Sequence, residues 1–259
     1  MPSLNPLRIA ITCEYPALLE QAKTLAGKMQ LPMASKSGQY DFQLILTTEH
    51  LQLQDMRENA PGPVFVDFIT GKNAHRRLYG GGRNQPLARA VGIKKDYLPT
   101  IIDATAGLGR DSFVLATLGC DVTLIERSPI ISALLENGLA RASLNTEIHS
   151  ILSRMHLIQA DAITYLRSLT TNLPDTIYLD PMYPHRSKSA LVKKEMRIAR
   201  EIVGDDSDAA SLLNTALQYA RKRVVVKRPL AASKLSEINP TLVIKSKNTR
   251  YDIYFPSVI

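Results

Sequence analysis

Two periodicities alternate along this chain of 259 residues. Short apolar runs of four to nine residues have the length and β-branched content of strands, and between them lie stretches with the spacing of amphipathic helices. In the first part, residues 7–12 (LRIAIT), 41–47 (DFQLILT) and 64–69 (VFVDFI) read as strands, and Ala17 to Met29 as a helix. Glu49 to Met56 fits either a strand or a turn of helix. From Tyr97 the rhythm is regular. Strands are expected at 97–105, 121–126, 155–161, 176–181 and 223–228, with helices at 111–119, 128–142, 163–169, 189–203 and 208–222 between them. Strand–helix–strand repetition implies right-handed parallel crossovers and a doubly wound sheet. The last two runs, 241–247 and 250–255, are separated by Asn248-Thr249, too few residues for a crossover, so they must pair antiparallel.

The pattern predicts an α/β chain in three parts. Residues 1–70 form a small N-terminal α+β domain, and 71–95 a basic, partly flexible connector around Gly80-Gly81-Gly82. Residues 96–259 carry the doubly wound, mostly parallel sheet with an antiparallel last strand.

Charge changes this picture more than composition does. The formal net charge is +8, and 18 of the 32 Lys and Arg fall in 71–95, 185–200 and 221–228, which together contain one acid, Glu195. Clustered cations of this kind suit a polyanion such as an RNA backbone. The candidates for phosphate contact are Lys72, Arg76, Arg77, Arg83, Lys188, Lys193, Lys194 and Arg197. Cys13 and Cys120 form no CxxC, so no redox or zinc motif is expected. His75 and His185 sit beside motifs, where a lone histidine is more often a hydrogen-bonded structural residue than an acid or base; His50, His149 and His156 have no convergent partners, and no metal site is expected. The N-terminus lacks the apolar core of a signal peptide, and no apolar run is long enough to cross a membrane. A cytoplasmic protein with no membrane and no obligate protein partner is the expectation.

The chemistry is expected beyond the carboxyl ends of the parallel strands, where open α/β sheets place their ligands. Four successive strands end there in acids: Asp103, Glu126, Asp161 and Asp180. Such an edge suits a ligand rich in hydroxyl and amine donors. After Asp103 comes Gly107-x-Gly109, glycines that let a ligand approach the backbone. Read as Gly107-x-Gly109-x-x-Ser112 with Glu126 downstream, this also fits a nicotinamide dinucleotide fingerprint. An acid at Asp103 is unhelpful beside a pyrophosphate, however, and that reading leaves Asp180-Pro181-Met182-Tyr183 unexplained.

Asp103-x-x-x-Gly107-x-Gly109, Glu126, Asp161 and Asp-Pro-Met-Tyr together resemble a class I S-adenosylmethionine-dependent methyltransferase. The longer stretches DATAGLGRDSFVLATLGC, LIER, YLDPMYPHRSKSALVKKEMR, RVVVKRP and RYDIY, with HRRLYGGGR and KKDYLP before them, resemble the bacterial small-subunit ribosomal RNA guanine-N2 methyltransferases of the J type. These run in order from about residue 64 to 255; the first 60 residues match loosely. The resemblance implies a seven-stranded methyltransferase sheet, S-adenosylmethionine as cofactor with S-adenosylhomocysteine as product, and small-subunit ribosomal RNA or the small ribosomal subunit as partner. It makes Arg110-Asp111, Glu126-Arg127 and Asp161-Ala162 cofactor-contacting pairs, beside Asp103, Gly107 and Gly109, with Asp180 where cofactor and target base meet. Asp180 and the Pro181 carbonyl are then the expected acceptors for the target amine, and Tyr183 the stacking platform for a flipped base. Met182 stands where the common Asn/Asp-Pro-Pro-Tyr/Phe motif has its second Pro, so the choice of guanine rests on the resemblance. The rivals are an amino-methyltransferase for another RNA or DNA, a nicotinamide oxidoreductase, and an RNA-binding module without turnover.

Overall fold

The computed structural model describes residues 7–35, 38–182, 198, 201–204 and 206–256. A small sheet comes first, in the order β1 (Ile9–Cys13), β2 (Phe42–Leu46), β3 (Leu51–Asp55). β1 and β2 are parallel, joined through α1 (Leu19–Met29), and β3 runs antiparallel to β2. The ambiguous stretch after Glu49 is therefore a strand. Its turn explains why: the Thr47 hydroxyl accepts the N–H groups of Glu49 and His50 and reverses the chain. Leu51, Leu53 and Asp55 then alternate inward with period two.

Residues 64–69 depart from expectation. Val64 makes one antiparallel bridge to Leu53, and the chain then leaves the sheet. The carboxylate of Asp67 accepts the N–H groups of Ile69 and Thr70, a local turn that competes with strand pairing. Val66 and Phe68 are buried all the same. Phe68 packs on Phe113, ring centroids 4.8 Å apart. Residues 71–95 also differ, holding α2 (Gly71–Tyr79) and α3 (Pro86–Val91). α3 starts with Pro at its first position, buries Leu87, Ala88, Ala90 and Val91, and ends at Gly92 with φ +92°. That apolar spacing is what a reading of the stretch as basic and glycine-rich passes over.

The main sheet contains β4 (Ile101–Asp103), β5 (Val122–Glu126), β6 (Met155–Gln159), β7 (Thr176–Leu179), β8 (Arg223–Pro229), β9 (Leu242–Lys245) and β10 (Thr249–Tyr254). Their order is β6-β5-β4-β7-β8-β10-β9. The first five are parallel to their neighbours, and β10 lies antiparallel between β8 and β9. Helices α4 (Arg110–Thr117), α5 (Pro129–Ser143), α6 (His149–Leu152), α7 (Ala162–Ser168) and α8 (Ala209–Tyr219) complete the crossovers among the described residues. Alternation along the strands divides the core. Ile101, Leu124, Tyr178 and Val225 face the layer of α3, α4 and α5. Ile102, Ile125, Ile177 and Val224 face α7 and α8. Burial on both faces accounts for the near-continuous apolar strands. The strand order reverses between β4 and β7, which opens a crevice beyond their carboxyl ends. The helix expected at 189–203 falls largely outside the described residues; 198 and 201–203 are helical.

Candidate active site

After β4 the chain turns through residues 104–109 into α4. Gly107 and Gly109 hold φ of +55° and +72°. A Cβ on Gly109 would lie 2.8 Å from Leu135 and 3.3 Å from Phe68, so this glycine serves both the turn and its packing. Asp103, 2% exposed, organises the turn from within. Its carboxylate accepts the Ser112 hydroxyl at 2.5 Å and the Thr105 N–H at 3.2 Å. Burial pushes its pKa up to about 7, against the pull of both hydrogen bonds.

On the other side of this turn lies a cleft of about 560 Å³, open mouth included. Glu126 forms one wall; its carboxylate accepts the N–H of Gly107 at 2.9 Å and of Ser128 at 2.7 Å. Burial raises its pKa. Asp161 caps α7, accepting the Thr164 N–H and hydroxyl, each at 2.8 Å, and the amide bond holds its pKa below the ordinary carboxylate value. Asp180 stands at the end of β7, its N–H donated to the Thr105 hydroxyl at 2.6 Å. Ile125, Ala162, Ile163 and Leu212 supply an apolar shelf. Across the mouth, Arg127 pairs with Asp206 at 2.5 Å and Asp208 at 3.2 Å, and Asp206 also accepts the Met182 N–H at 2.6 Å.

These donors and surfaces fit S-adenosylmethionine. The carboxylates of Glu126 and Asp161 on the cleft wall can accept from hydroxyl and amine groups, an apolar shelf suits a flat base, and the space around Gly107, where an added Cβ would touch nothing, admits a ligand to the backbone.

Behind the cleft runs a chain of charges. Asp111 accepts Arg76 at 2.6 Å on one oxygen, and the Tyr178 hydroxyl at 2.7 Å and Lys227 at 2.8 Å on the other. Lys227 also donates to Asp180 at 2.7 Å. Burial works against the charge of Asp111, but Lys227 and Arg76 hold its pKa far below the carboxylate range. Lys227 is in turn raised by the two acids, despite its burial. Asp180 is raised by burial, with Lys227 opposing.

Of the residues singled out in the sequence, Gly107, Glu126, Arg127, Asp161, Ala162 and Asp180 line this cleft. Asp103 and Gly109 lie beneath it as turn and packing residues. Asp111 belongs to the ion chain, and Arg110 lines a second cavity with Asp67 and Leu108. Pro181 is buried beside Asp180. Arg76 turns inward to Asp111, Arg77 lies 3.6 Å from Glu147, and Arg83 donates to the Lys95 carbonyl. The side chain of Lys72, and all of Tyr183, Lys188, Lys193, Lys194 and Arg197, fall outside the described residues. Sequence reasoning missed Thr105, Asp206 and Asp208 on the cleft and Tyr178 and Lys227 behind it. Lys227 had a signal, a cation directly after the apolar run Val224–Val226, but with Arg228 beside it the position falls within a stretch that reads as phosphate-binding. That stretch is also divided by the fold: Arg221 to Arg223 sit at the start of β8, at the edge opposite the cleft.

A seven-stranded sheet of this order, with an acid-lined cleft at its switch point, defines the class I methyltransferase fold. A family model described as putative SAM-dependent methyltransferase matches residues 24–256. The crystal structure of a SAM-dependent methyltransferase from Neisseria gonorrhoeae superposes with a TM-score of 0.74 at 36% identity, covering 95% of this chain and 96% of that one. Among curated proteins, the Ribosomal RNA small subunit methyltransferase J of Pseudomonas syringae pv. syringae (strain B728a) is 53% identical over 235 residues, 91% of this chain and 87% of that protein. The protein of the same name from Coxiella burnetii (strain Dugway 5J108-111) is 51% identical over 247 residues, 95% of this chain and 96% of that protein. The chain belongs to this family of SAM-dependent methyltransferases, with relatives named Ribosomal RNA small subunit methyltransferase J. Among the described residues no group of three or more His, Cys, Asp or Glu is placed to hold a metal ion, and no helix is long and apolar enough to cross a membrane.

Proposed function

We propose that this enzyme methylates the exocyclic N2 of one guanine in small-subunit ribosomal RNA, in the cytoplasm. The observation that carries the reading is the position of Asp180, a half-exposed carboxylate at the rim of the cleft that Glu126 and Asp161 line. The ribosomal RNA substrate follows from the name shared by relatives with more than half of their aligned residues identical, and guanine N2 from the resemblance to the J-type methyltransferases.

Glu126 would hold the ribose hydroxyls of S-adenosylmethionine, with Ala162, Ile163 and Leu212 against its adenine and Asp161 toward the adenine amine. Bound there, the cofactor supplies a methyl group on a sulfonium, already a strong electrophile. The remaining work is placement of a poor nucleophile, because the lone pair of a guanine amine is delocalised into its ring. Asp180 accepts one amine N–H, the Pro181 carbonyl takes the other, and the lone pair is turned toward the cleft. Orientation of this kind supplies several kcal/mol, roughly 7–11 at its limit. As the nitrogen gains positive charge, the Asp180 carboxylate stabilises it and takes up the departing proton. Tyr183, three residues on, stacks on the extruded base. The exposed Arg83 meets the phosphate backbone, together with the sequence candidates Lys72, Lys188, Lys193, Lys194 and Arg197; Arg76, held by Asp111, does not.

The test is transfer of labelled methyl to small ribosomal subunits, naked ribosomal RNA and duplex DNA from cells lacking this protein. Label at N2 of one guanine, lost in a folded Asp180→Ala, supports the reading. Label confined to DNA or to another RNA replaces it with the broader amino-methyltransferase. No label in any acceptor refutes it.

A further inference from the structure

We propose that Lys227 is a positioning residue for methyl transfer: its ammonium, held between Asp111 and Asp180, aims the Asp180 carboxylate into the cleft and balances its charge. The inference rests on the reading of Asp180 as the group that meets the target amine.

The strand register puts Lys227 where it is needed. β7 and β8 pair as Tyr178 with Val225 and Leu179 with Val226, so Lys227 is the next position opposite Asp180. From the other side β10 places Tyr251 opposite Lys227. Val225 and Tyr251 face the core layer under α4, and by alternation Lys227 shares that face. An apolar residue would continue the Val224–Val226 run at no desolvation cost. A lysine there, its side chain one-quarter exposed, is tolerated because its ammonium donates to two carboxylates at 2.8 and 2.7 Å.

Structure alone does not require both ion pairs. Asp111 already has a cation in Arg76 at 2.6 Å and a neutral donor in Tyr178. Among the described residues, the ion pair of Asp180 is to Lys227. The other groups facing this pair are mostly acidic or neutral: Asp111 from α4, Asp103 from β4, Asp206 across the cleft, and the hydroxyls of Tyr178 and Tyr251; Arg76 adds one cation behind Asp111. Asp111 and Asp206 disfavour an ionised Asp180, and Lys227 opposes them. A carboxylate that must accept an amine hydrogen bond is inactive once protonated, so the cation keeps Asp180 in its working form and fixes one of its oxygens. The same chain links α2, through Arg76 and Asp111, to the catalytic edge.

The experiment compares Lys227→Met and Lys227→Arg in the full-length protein, acting on small ribosomal subunits from cells lacking it. kcat and KM are measured across pH, and S-adenosylmethionine binding by calorimetry. For Lys227→Met the expected result is a fall in kcat of about tenfold or more, with cofactor Kd and RNA KM within about twofold. The acid limb of its kcat profile moves up by about one pH unit, because loss of the cation makes Asp180 harder to ionise. Lys227→Arg restores most of kcat and the original limb. Since Lys227→Met leaves Asp111 with less compensation, the comparison is repeated as Asp111→Asn against Asp111→Asn/Lys227→Met, where the interior charge stays balanced if the single variant is unstable. An unmoved acid limb with kcat within twofold overturns the proposal. So does equal loss in the Met and Arg variants accompanied by loss of cofactor binding, which marks a structural role. Asp180→Asn separates the two levels: if it turns over normally, the assignment of Asp180 fails; if it is inactive while Lys227→Met is normal, the role of Lys227 fails.

Discussion

Asp103 is the acid whose environment makes the sharpest quantitative claim. It lies 2% exposed at the end of β4, paired with no cation among the described residues, its oxygens turned to the Ser112 hydroxyl and the Thr105 N–H. Burial raises its pKa from 3.8 to about 7. The sign follows from linkage. A folded-state pKa above the unfolded value means that this group's contribution to stability is complete below about pH 4 and is lost as pH rises toward 7. A shift of this size corresponds to about 4 kcal/mol between those limits. Asp103→Asn has the shape of the protonated acid: its carbonyl accepts the Thr105 N–H and its amide donates to the Ser112 oxygen. The variant should nearly match the wild type at about pH 4 and exceed it in urea-denaturation stability by about 4 kcal/mol at about pH 8, the gap growing by about 1.4 kcal/mol per pH unit between about pH 4 and 7. A gap that is the same at both pH values, whatever its sign, would mean that Asp103 titrates normally in the folded protein and would refute the reasoning.

Two further predictions concern the turn and the surface. Gly109→Ala forces Cβ against Leu135 at 2.8 Å in a left-handed backbone and should cost about 2–4 kcal/mol of unfolding free energy. Gly107→Ala meets open space, costs about 1 kcal/mol of strain, and should instead weaken S-adenosylmethionine binding, read by calorimetry. Equal stability losses in the two would contradict the division between packing and ligand approach. Neutralising Lys72 and Arg83 should lower the slope of log affinity for ribosomal RNA against log salt by about 0.9 for each phosphate that is no longer neutralised, with cofactor affinity unchanged. A slope equal to wild type removes these side chains from the RNA surface.

The sheet was legible because parallel strands buried on both faces leave a continuous apolar signature, and because four of them in succession end in an acid at one edge. The last pair was legible from chain length alone. What escaped was local competition. Residues 64–69 have strand composition, but Asp67 turns its carboxylate onto the following amides and the run leaves the sheet after one bridge. Residues 86–91 carry a buried helix inside a stretch dominated by glycine and positive charge. In the site, Glu126, Asp161 and Asp180 could be placed because topology puts strand ends together. The inward pairing of Arg76, Asp111 and Lys227 was not legible, because a one-dimensional count of charges does not register which cations the sheet turns toward an acid.

The four strand-end acids look equivalent in the sequence, and their surroundings set them apart. Asp103 has no cation among the described residues, is lifted to about 7 and holds the turn in a form close to neutral. Glu126 spends both oxygens on the amides of Gly107 and Ser128, which orients it along the cleft wall beside the glycine turn. Asp161 closes the first turn of α7, where amide donors keep it ionised. Of the four, Asp180 shares the partly buried ammonium of Lys227 with a second carboxylate while its side chain remains 39% exposed. Pairs of carboxylates pushed apart by environment are how one edge holds several roles. By that criterion the acid suited to meeting an incoming amine is the one that is charged, aimed and still accessible. Asp103 is too buried, and Glu126 and Asp161, oriented by backbone donors, are the acids assigned to the cofactor. Asp180 is accessible, and Lys227 aims its carboxylate and favours its charged form.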